Sequence, residues 1–194
     1  DIGAATSNPT PPRRVLTPRR SVHHAALPLS QLGAFLHAVD QRRIARTTRI
    51  AMLMVLHTAC RKSEVTSASW DEFDLSTGEW FIPADRMKAG QAHWVPLPAQ
   101  AVALLKELRA LVPVGSKYLF PNRRDPKRPM ADRSLNALFD RIELSKAVTP
   151  HGMRAVFSTY FNGIGASSEV VERCLAHAPV DKVRAAYNRH EYKQ

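Results

Sequence analysis

The sequence carries basic and phenolic side chains of the types that phosphate-ester chemistry requires. A phosphoryl transition state spreads negative charge over its non-bridging oxygens, so guanidinium groups that bind two oxygens at once stabilise it. Arg61 and Arg154 are the candidates for that role. His151 lies one helical turn before Arg154 at a predicted helix start, where backbone amides also favour a phosphate. The alternative is that His151 and Arg154 lie on a solvated helix face.

Tyr187 is the candidate nucleophile, because a phenol oxygen can attack phosphorus and conserve the bond energy in a phosphotyrosine link. A free tyrosine has a pKa of about 10, so ionising it at pH 7 costs about 4 kcal/mol and requires neighbouring cations or a base. The same residue continues a helical stripe with Val183, Ala186 and His190, which is typical of a core position. Both interpretations stay open at this level.

Two further residues are candidates for acting on the leaving group and the phosphate. Lys88 lies in a turn-like segment, from which a lysine can reach into a groove and protonate a departing sugar oxygen. His177 can donate a hydrogen bond to a phosphate oxygen. The alternatives are a solvated lysine and a histidine that caps the end of its helix.

Glu64 is predicted to hold Arg61 in place, because an unpaired carboxylate at a phosphate site would be unfavourable. A surface pair with Lys62 is the alternative. His93 is interpreted as structural, and the sequence contains neither a zinc-protease motif nor a phosphate-binding P-loop. No metal, nucleotide or other cofactor is therefore expected.

The elements that must position these residues are mainly helical. Thr149 and Pro150 form a strong helix start, with threonine as the N-cap and proline as the first helical residue. Ser168 opens a further helix that is expected to end at Pro179, and a last helix carries Tyr187. Apolar residues at helical spacing follow the first of these starts: Met153, Val156, Phe157, Tyr160 and Ile164.

A small antiparallel sheet interrupts the helices. Short β-type runs at 80–83 and 93–97 flank the turn-like segment 86–90, which places Lys88 near a hairpin tip. Helical stripes precede and follow the sheet, the first behind a Ser30 cap and a later one reaching Leu111. A helix is expected from about Arg133 to Leu144, and both cysteines, Cys60 and Cys174, are predicted in apolar helical patterns. The sequence thus predicts a mainly α fold with a small sheet, an α+β class.

The domain organisation follows from composition along the chain. Residues 1–28 combine prolines with arginines and are expected to form an extended basic linker, followed by one compact domain over 29–194. A formal charge of +11 in 194 residues indicates a polyanionic partner, with nucleic acid as the leading candidate. No apolar run is long enough to span a membrane, so a soluble, intracellular protein is expected.

The ordered candidate set resembles the catalytic domain of the tyrosine recombinases, the phage integrase family, and is closest to integrases of prophages and genomic islands. The likeness extends from about His24 to the end of the chain. The segments that carry it are 58–64 (TACRKSE), 70–74 (WDEFD), 86–90 (RMKAG), 95–97 (VPL), 149–154 (TPHGMR), 175–177 (LAH) and 182–187 (KVRAAY).

The resemblance implies a bacterial, cytoplasmic, nucleoid-associated enzyme that cuts and rejoins double-stranded DNA without metal or cofactor. It assigns the scissile phosphate to Arg61, Arg154 and His177, the general acid to Lys88, and proton transfer to His151. It assigns a 3′-phosphotyrosine intermediate to Tyr187 and implies four protomers on two DNA sites. A type IB topoisomerase with nearly the same chemistry and a non-catalytic DNA-binding module are the alternatives.

Two departures from the family pattern are expected. No N-terminal core-binding domain precedes the linker, and the chain ends soon after Tyr187, so we expect a truncated fragment that binds weakly, stays monomeric and recombines nothing by itself. Trp94 also stands where a basic residue is expected in the sheet, which would remove one DNA contact.

Overall fold

A computed structural model describes residues 26–142 and 148–177, and these residues form the predicted mainly helical fold with one small antiparallel sheet. The linker region before residue 26 and the predicted last helix with Tyr187 lie outside the described residues. The helices are α1 (Leu32–Gln41), α2 (Arg46–Thr58), α3 (Lys62–Thr66), α4 (Ala99–Leu111), α5 (Arg133–Arg141), α6 (Pro150–Gly163) and α7 (Ser168–Cys174). The strands are β1 (Phe73–Asp74), β2 (Glu79–Ile82) and β3 (His93–Pro96).

Helix α2 forms the centre of the fold and contacts α3, α4, α5 and α6. Its apolar residues, including Ile50, Met54 and Val55, are buried, as expected for a helix surrounded by others. The helix ends at Ala59, whose φ of 54° lies in the left-handed region and turns the chain sharply towards Arg61. The end of the central helix therefore presents the first candidate arginine.

The sheet has the order β1-β2-β3 with both pairs antiparallel. Trp80 and Ile82 of β2 are buried against the core, whereas Phe81 packs at a tilt of 47° against its cross-strand partner Trp94 on the outer face, at 4.6 Å between ring centroids. The turn between β2 and β3 contains Lys88, which confirms the predicted hairpin tip.

Helix α6 begins as the sequence predicts. The hydroxyl of Thr149 accepts a 3.0 Å hydrogen bond from the amide of Gly152, and Pro150 is the first helical residue. The predicted apolar stripe is only half right, because Tyr160 and Ile164 are 49% and 62% exposed. The second half of α6 packs through Phe157 and Phe161 onto a small cluster at α7, so its other sides face outward.

Several predicted details are wrong. Ser30 lies within a 3₁₀ turn, Leu29–Gln31, and does not cap α1. Cys60 lies in the connection between α2 and α3 and not inside a helix. Helix α7 ends at Cys174, before the predicted Pro179, because Ala176 adopts a left-handed conformation that closes it. No helix among the described residues is both long and apolar enough to cross a membrane.

Candidate active site

Arg154 is the structural centre of the candidate site. Its side chain is buried, with the residue only 4% exposed, and it donates hydrogen bonds from Nη1 to the carbonyl of Ala59 and from Nη2 to the carbonyl of Leu175, the latter at 2.6 Å. These carbonyls lie at the C-terminal ends of α2 and α7, where the helix dipole favours a cation. Burial and the nearby Arg61 lower the pKa of Arg154. An arginine has five N–H groups, so some donors remain for a ligand.

Arg61 lies between α2 and α3 and is held by Glu64. The buried carboxylate accepts the backbone N–H of Arg61 at 2.6 Å and its Nη1 at 2.8 Å, so both hydrogen bonds at the start of α3 run from Arg61 to Glu64. The predicted contact between Glu64 and Arg61 is therefore present. The alternative pair with Lys62 is not formed, since the Nζ of Lys62 donates to Asn136 at 3.2 Å.

His177 is brought to Arg154 by the end of α7. Its backbone N–H donates to the carbonyl of Glu172 at 3.1 Å, and Ala176 takes a φ of 49°, so the helix closes in a Schellman-type turn. The ring Nδ1 lies 2.6 Å from the Glu172 carboxylate and Nε2 lies 3.5 Å from Nη2 of Arg154. The ring therefore joins a carboxylate on one side to the buried arginine on the other.

The three other predicted site residues are His151, Lys88 and Tyr187. His151 is exposed in the first turn of α6, one turn before Arg154. Lys88 is exposed at the hairpin turn, and the contacts of the described residues do not join it to Arg61 or Arg154. Tyr187 lies outside the described residues.

The structure adds two residues near this cluster that sequence reasoning did not assign to it. Glu172 orients His177, and the spacing of a closing helix turn was the only available signal for it. His93 lies at the start of β3, and its Nε2 is buried and unpaired among the described residues. The charges of Glu64, Arg154 and Arg61 act on its imidazole. Burial is the main cause that lowers the pKa of its imidazole.

The residue before Arg61 carries a buried thiol. Cys60 directly precedes Arg61 and is fully buried, and this burial raises the pKa of its thiol to about 12. A thiolate at this position is therefore not populated at neutral pH, and the residue acts as a small apolar side chain.

The helices and the sheet have the fold of a tyrosine recombinase catalytic domain. The crystal structure of XerA recombinase superimposes with a TM-score of 0.63 at 21% sequence identity and covers 94% of this chain and 70% of its own. A lambda integrase (75–356) dimer bound to a COC' core site gives a TM-score of 0.65 at 14% identity, covering 93% of this chain and 64% of its own.

The chain belongs to the phage integrase family, whose model matches residues 26–194. Prophage integrase IntA of Escherichia coli (strain K12) is 38% identical over 162 residues, which are 84% of this chain and 39% of that protein. The integrase of Enterobacteria phage P4 is 34% identical over an alignment of 188 positions, gaps included, that covers 89% of this chain and 42% of that protein. The chain thus spans less than half the length of these two relatives.

Proposed function

We propose that this chain is the catalytic part of a site-specific DNA recombinase that cuts and rejoins strands through Tyr187. The observation that carries the proposal is the convergence of Arg61, Arg154 and His177, which are distant in sequence, at the ends of α2 and α7. Two guanidinium groups and an imidazole at one place suit the non-bridging oxygens of a phosphodiester.

The proposed reaction is a transesterification. The phenolic oxygen of Tyr187 attacks phosphorus, a bond to phosphorus forms, and the bond from phosphorus to the 5′ oxygen of the next nucleotide breaks. His151 assists removal of the phenolic proton, and Lys88 gives a proton to the departing 5′ oxygen. Attack by a 5′-hydroxyl on the 3′-phosphotyrosine reverses these steps and releases Tyr187.

A DNA partner is supported by the charge distribution of the described residues. The loop from Asn122 to Met130 is closed by a short bridge between Pro121 and Pro129 and exposes four cations: Arg123, Arg124, Lys127 and Arg128. One acidic residue, Asp125, lies among them. A cationic loop that is bridged at its base suits the phosphate backbone of a duplex, and several structural relatives are named as complexes with DNA.

The organisation of the working enzyme is part of the same proposal. Residues 29–194 form its catalytic unit, which acts with further protein segments in a tetramer on two DNA sites. We place this enzyme at the bacterial nucleoid. The supports are the family membership and the fraction of the relatives' length that the chain covers.

A covalent adduct assay tests the proposal. The chain is incubated with nicked duplexes that have a randomised core, and protein-linked DNA that survives SDS is isolated and its modified peptide mapped. We expect an adduct on Tyr187 that is lost in Tyr187→Phe, while non-covalent binding is unchanged. Tyr160→Phe is the matched control, because Tyr160 is an exposed tyrosine on α6 that is not among the candidate site residues.

The outcomes separate the parts of the proposal. An adduct that persists in Tyr187→Phe would show that another residue is the nucleophile. Absence of any adduct, also after the chain is extended with the N-terminal part of a prophage integrase relative, would reject the recombinase function for this chain.

A further inference from the structure

Arg86 connects the hairpin that carries Lys88 to the helix that carries Glu64. Its side chain is 18% exposed and its guanidinium contacts three acceptors. Nη1 donates to the carboxylate of Glu72, and Nη2 donates to the main-chain carbonyl of Glu64 at 2.6 Å and to the hydroxyl of Ser67 at 2.9 Å. One side chain therefore joins the sheet region and α3.

The acceptor on the sheet side is itself fixed. Glu72 is 8% exposed, and its carboxylate also accepts the indole N–H of Trp80 at 2.9 Å, the hydroxyl of Ser69 at 2.8 Å and the backbone N–H of Ser69 at 3.2 Å. Trp80 is fully buried in β2. The guanidinium of Arg86 is thus bound to a rigid part of the sheet.

The acceptor on the α3 side is Glu64, the residue that holds Arg61. The main-chain carbonyl of Glu64 accepts a hydrogen bond from Nη2 of Arg86, and the carboxylate of Glu64 accepts one from Nη1 of Arg61. Between Arg86 and Lys88 lies Met87, which is 6% exposed and accepts the N–H of Gly90 at 3.0 Å. The turn is therefore anchored immediately before Lys88, and Lys88 is the first exposed position after the anchor.

We propose that Arg86 is a positioning residue that sets the Lys88 turn against the Arg61 side of the site for proton transfer to the leaving oxygen. The proposal rests on the recombinase function given above. A lysine in place of Arg86 keeps the charge but has a single ammonium, which cannot span the carboxylate, the carbonyl and the hydroxyl with the fixed geometry of a planar fork. Without the three hydrogen bonds of the Arg86 guanidinium, Lys88 is still present but is no longer held at a fixed distance from the phosphate.

A DNA substrate with sulfur in place of the bridging 5′ oxygen distinguishes this role from general structural support. A thiolate leaves without a proton because its conjugate acid is much stronger than an alcohol, so cleavage no longer depends on the general acid. We expect Arg86→Lys to slow adduct formation on ordinary nicked DNA by roughly 10-fold to 1000-fold, because a misplaced acid loses part of the about 100-fold to 10,000-fold that acid catalysis contributes. On the sulfur-bridged substrate the same variant is expected to react within a few-fold of the wild type.

Three variants calibrate the assay. Lys88→Ala is expected to show at least as large a loss and the same rescue, whereas Arg154→Lys loses phosphate binding and is not rescued by sulfur. Arg46→Lys is the matched control, because Arg46 also binds a carboxylate with two nitrogen atoms, at 2.6 and 2.7 Å from Glu107, and its ion pair is exposed. It should react like the wild type on both substrates.

Two results would overturn the role of Arg86: a wild-type rate for Arg86→Lys on ordinary DNA, or a loss that sulfur does not restore. If Arg86→Lys does not fold, Ser67→Ala removes only one of the three acceptors and should give a smaller loss with the same rescue. Failure of sulfur to rescue Lys88→Ala would instead reject Lys88 as the acid. A wild type without adduct on either substrate would reject the recombinase function.

A measurement without DNA decides the positioning role even in that last case. Hydrogen exchange followed by mass spectrometry is expected to show faster exchange over residues 87–90 in Arg86→Lys than in the wild type, with exchange in α2 unchanged. Equal exchange over residues 87–90 would show that Arg86 does not hold the turn.

Discussion

At the residue scale, two ion pairs of similar length differ in how much water surrounds them. The side chain of Glu64 is 2% exposed where it meets Arg61 at 2.8 Å, whereas the side chains of Arg46 and Glu107 are 42% and 41% exposed at 2.6 Å. A buried carboxylate that loses its charge leaves its donors poorly satisfied, while water replaces an exposed partner. The buried pair is therefore expected to stabilise the fold more than its exposed counterpart.

The corresponding prediction concerns Glu64→Gln. We expect this change to lower the free energy of unfolding by about 1–3 kcal/mol, because Arg61 keeps its charge beside a neutral amide. Urea unfolding followed by circular dichroism measures the difference. Glu107→Gln is the matched control with a much smaller expected effect, and similar losses for the two variants would contradict the role of burial.

At the element scale, two helices end on alanines in the left-handed conformation, Ala59 after α2 and Ala176 after α7. This conformation costs a residue with a Cβ about 1–2 kcal/mol, and glycine avoids that cost. The two turns persist because the carbonyls of Ala59 and Leu175 accept the guanidinium of Arg154. The ends of α2 and α7 are thus shaped by a tertiary contact.

Glycine at position 176 tests this strain. Removing the Cβ relieves about 1–2 kcal/mol of strain in the left-handed conformation of the folded state. Against this stand about 0.4–1 kcal/mol from the greater conformational freedom of the unfolded chain and the loss of a partly buried methyl group. We expect Ala176→Gly to be at least as stable as the wild type. Ala103→Gly, at an exposed position inside α4, should lose about 1 kcal/mol. Thermal unfolding compares them, and an equal loss in both variants would refute the strain at Ala176.

At the scale of the whole molecule, the apolar interior is divided unequally. The main core extends from Leu27 to Val156, whereas α7 is buried through a separate small cluster of Ala59, Val171 and Leu175. A helix held by so little apolar area opens more easily than one at the centre of the core. Part of the candidate site is therefore carried by an element of low local stability.

Native-state hydrogen exchange should resolve this difference. We expect the amides of α7 to exchange through openings of lower free energy than those of α2. Arg154→Lys should lower the value for α7 further, because a single ammonium does not reproduce the two bonds to Ala59 and Leu175. Equal opening free energies in the wild type would show that α7 unfolds only together with the rest of the domain.

Local chemistry made much of the arrangement predictable from the sequence alone. Thr149 and Pro150 determine the start of α6 because a side-chain cap and a fixed φ act within one turn. The contact of Arg61 with Glu64 was predicted from their three-residue separation, and the two short β-type runs that flank the turn located Lys88. Family resemblance supplied the functional grouping of these residues.

The tertiary structure alone decided the contacts that involve main-chain carbonyls. Arg154 binds the carbonyls of Ala59 and Leu175, and Arg86 binds that of Glu64. Every residue has a carbonyl, so residue type carries no signal for which one a distant arginine will meet; only the packing of α2, α3, α6 and α7 selects it. For the same reason the sequence identified Arg61 and Arg154 as site residues, whereas only the fold decided which main-chain groups hold Arg154.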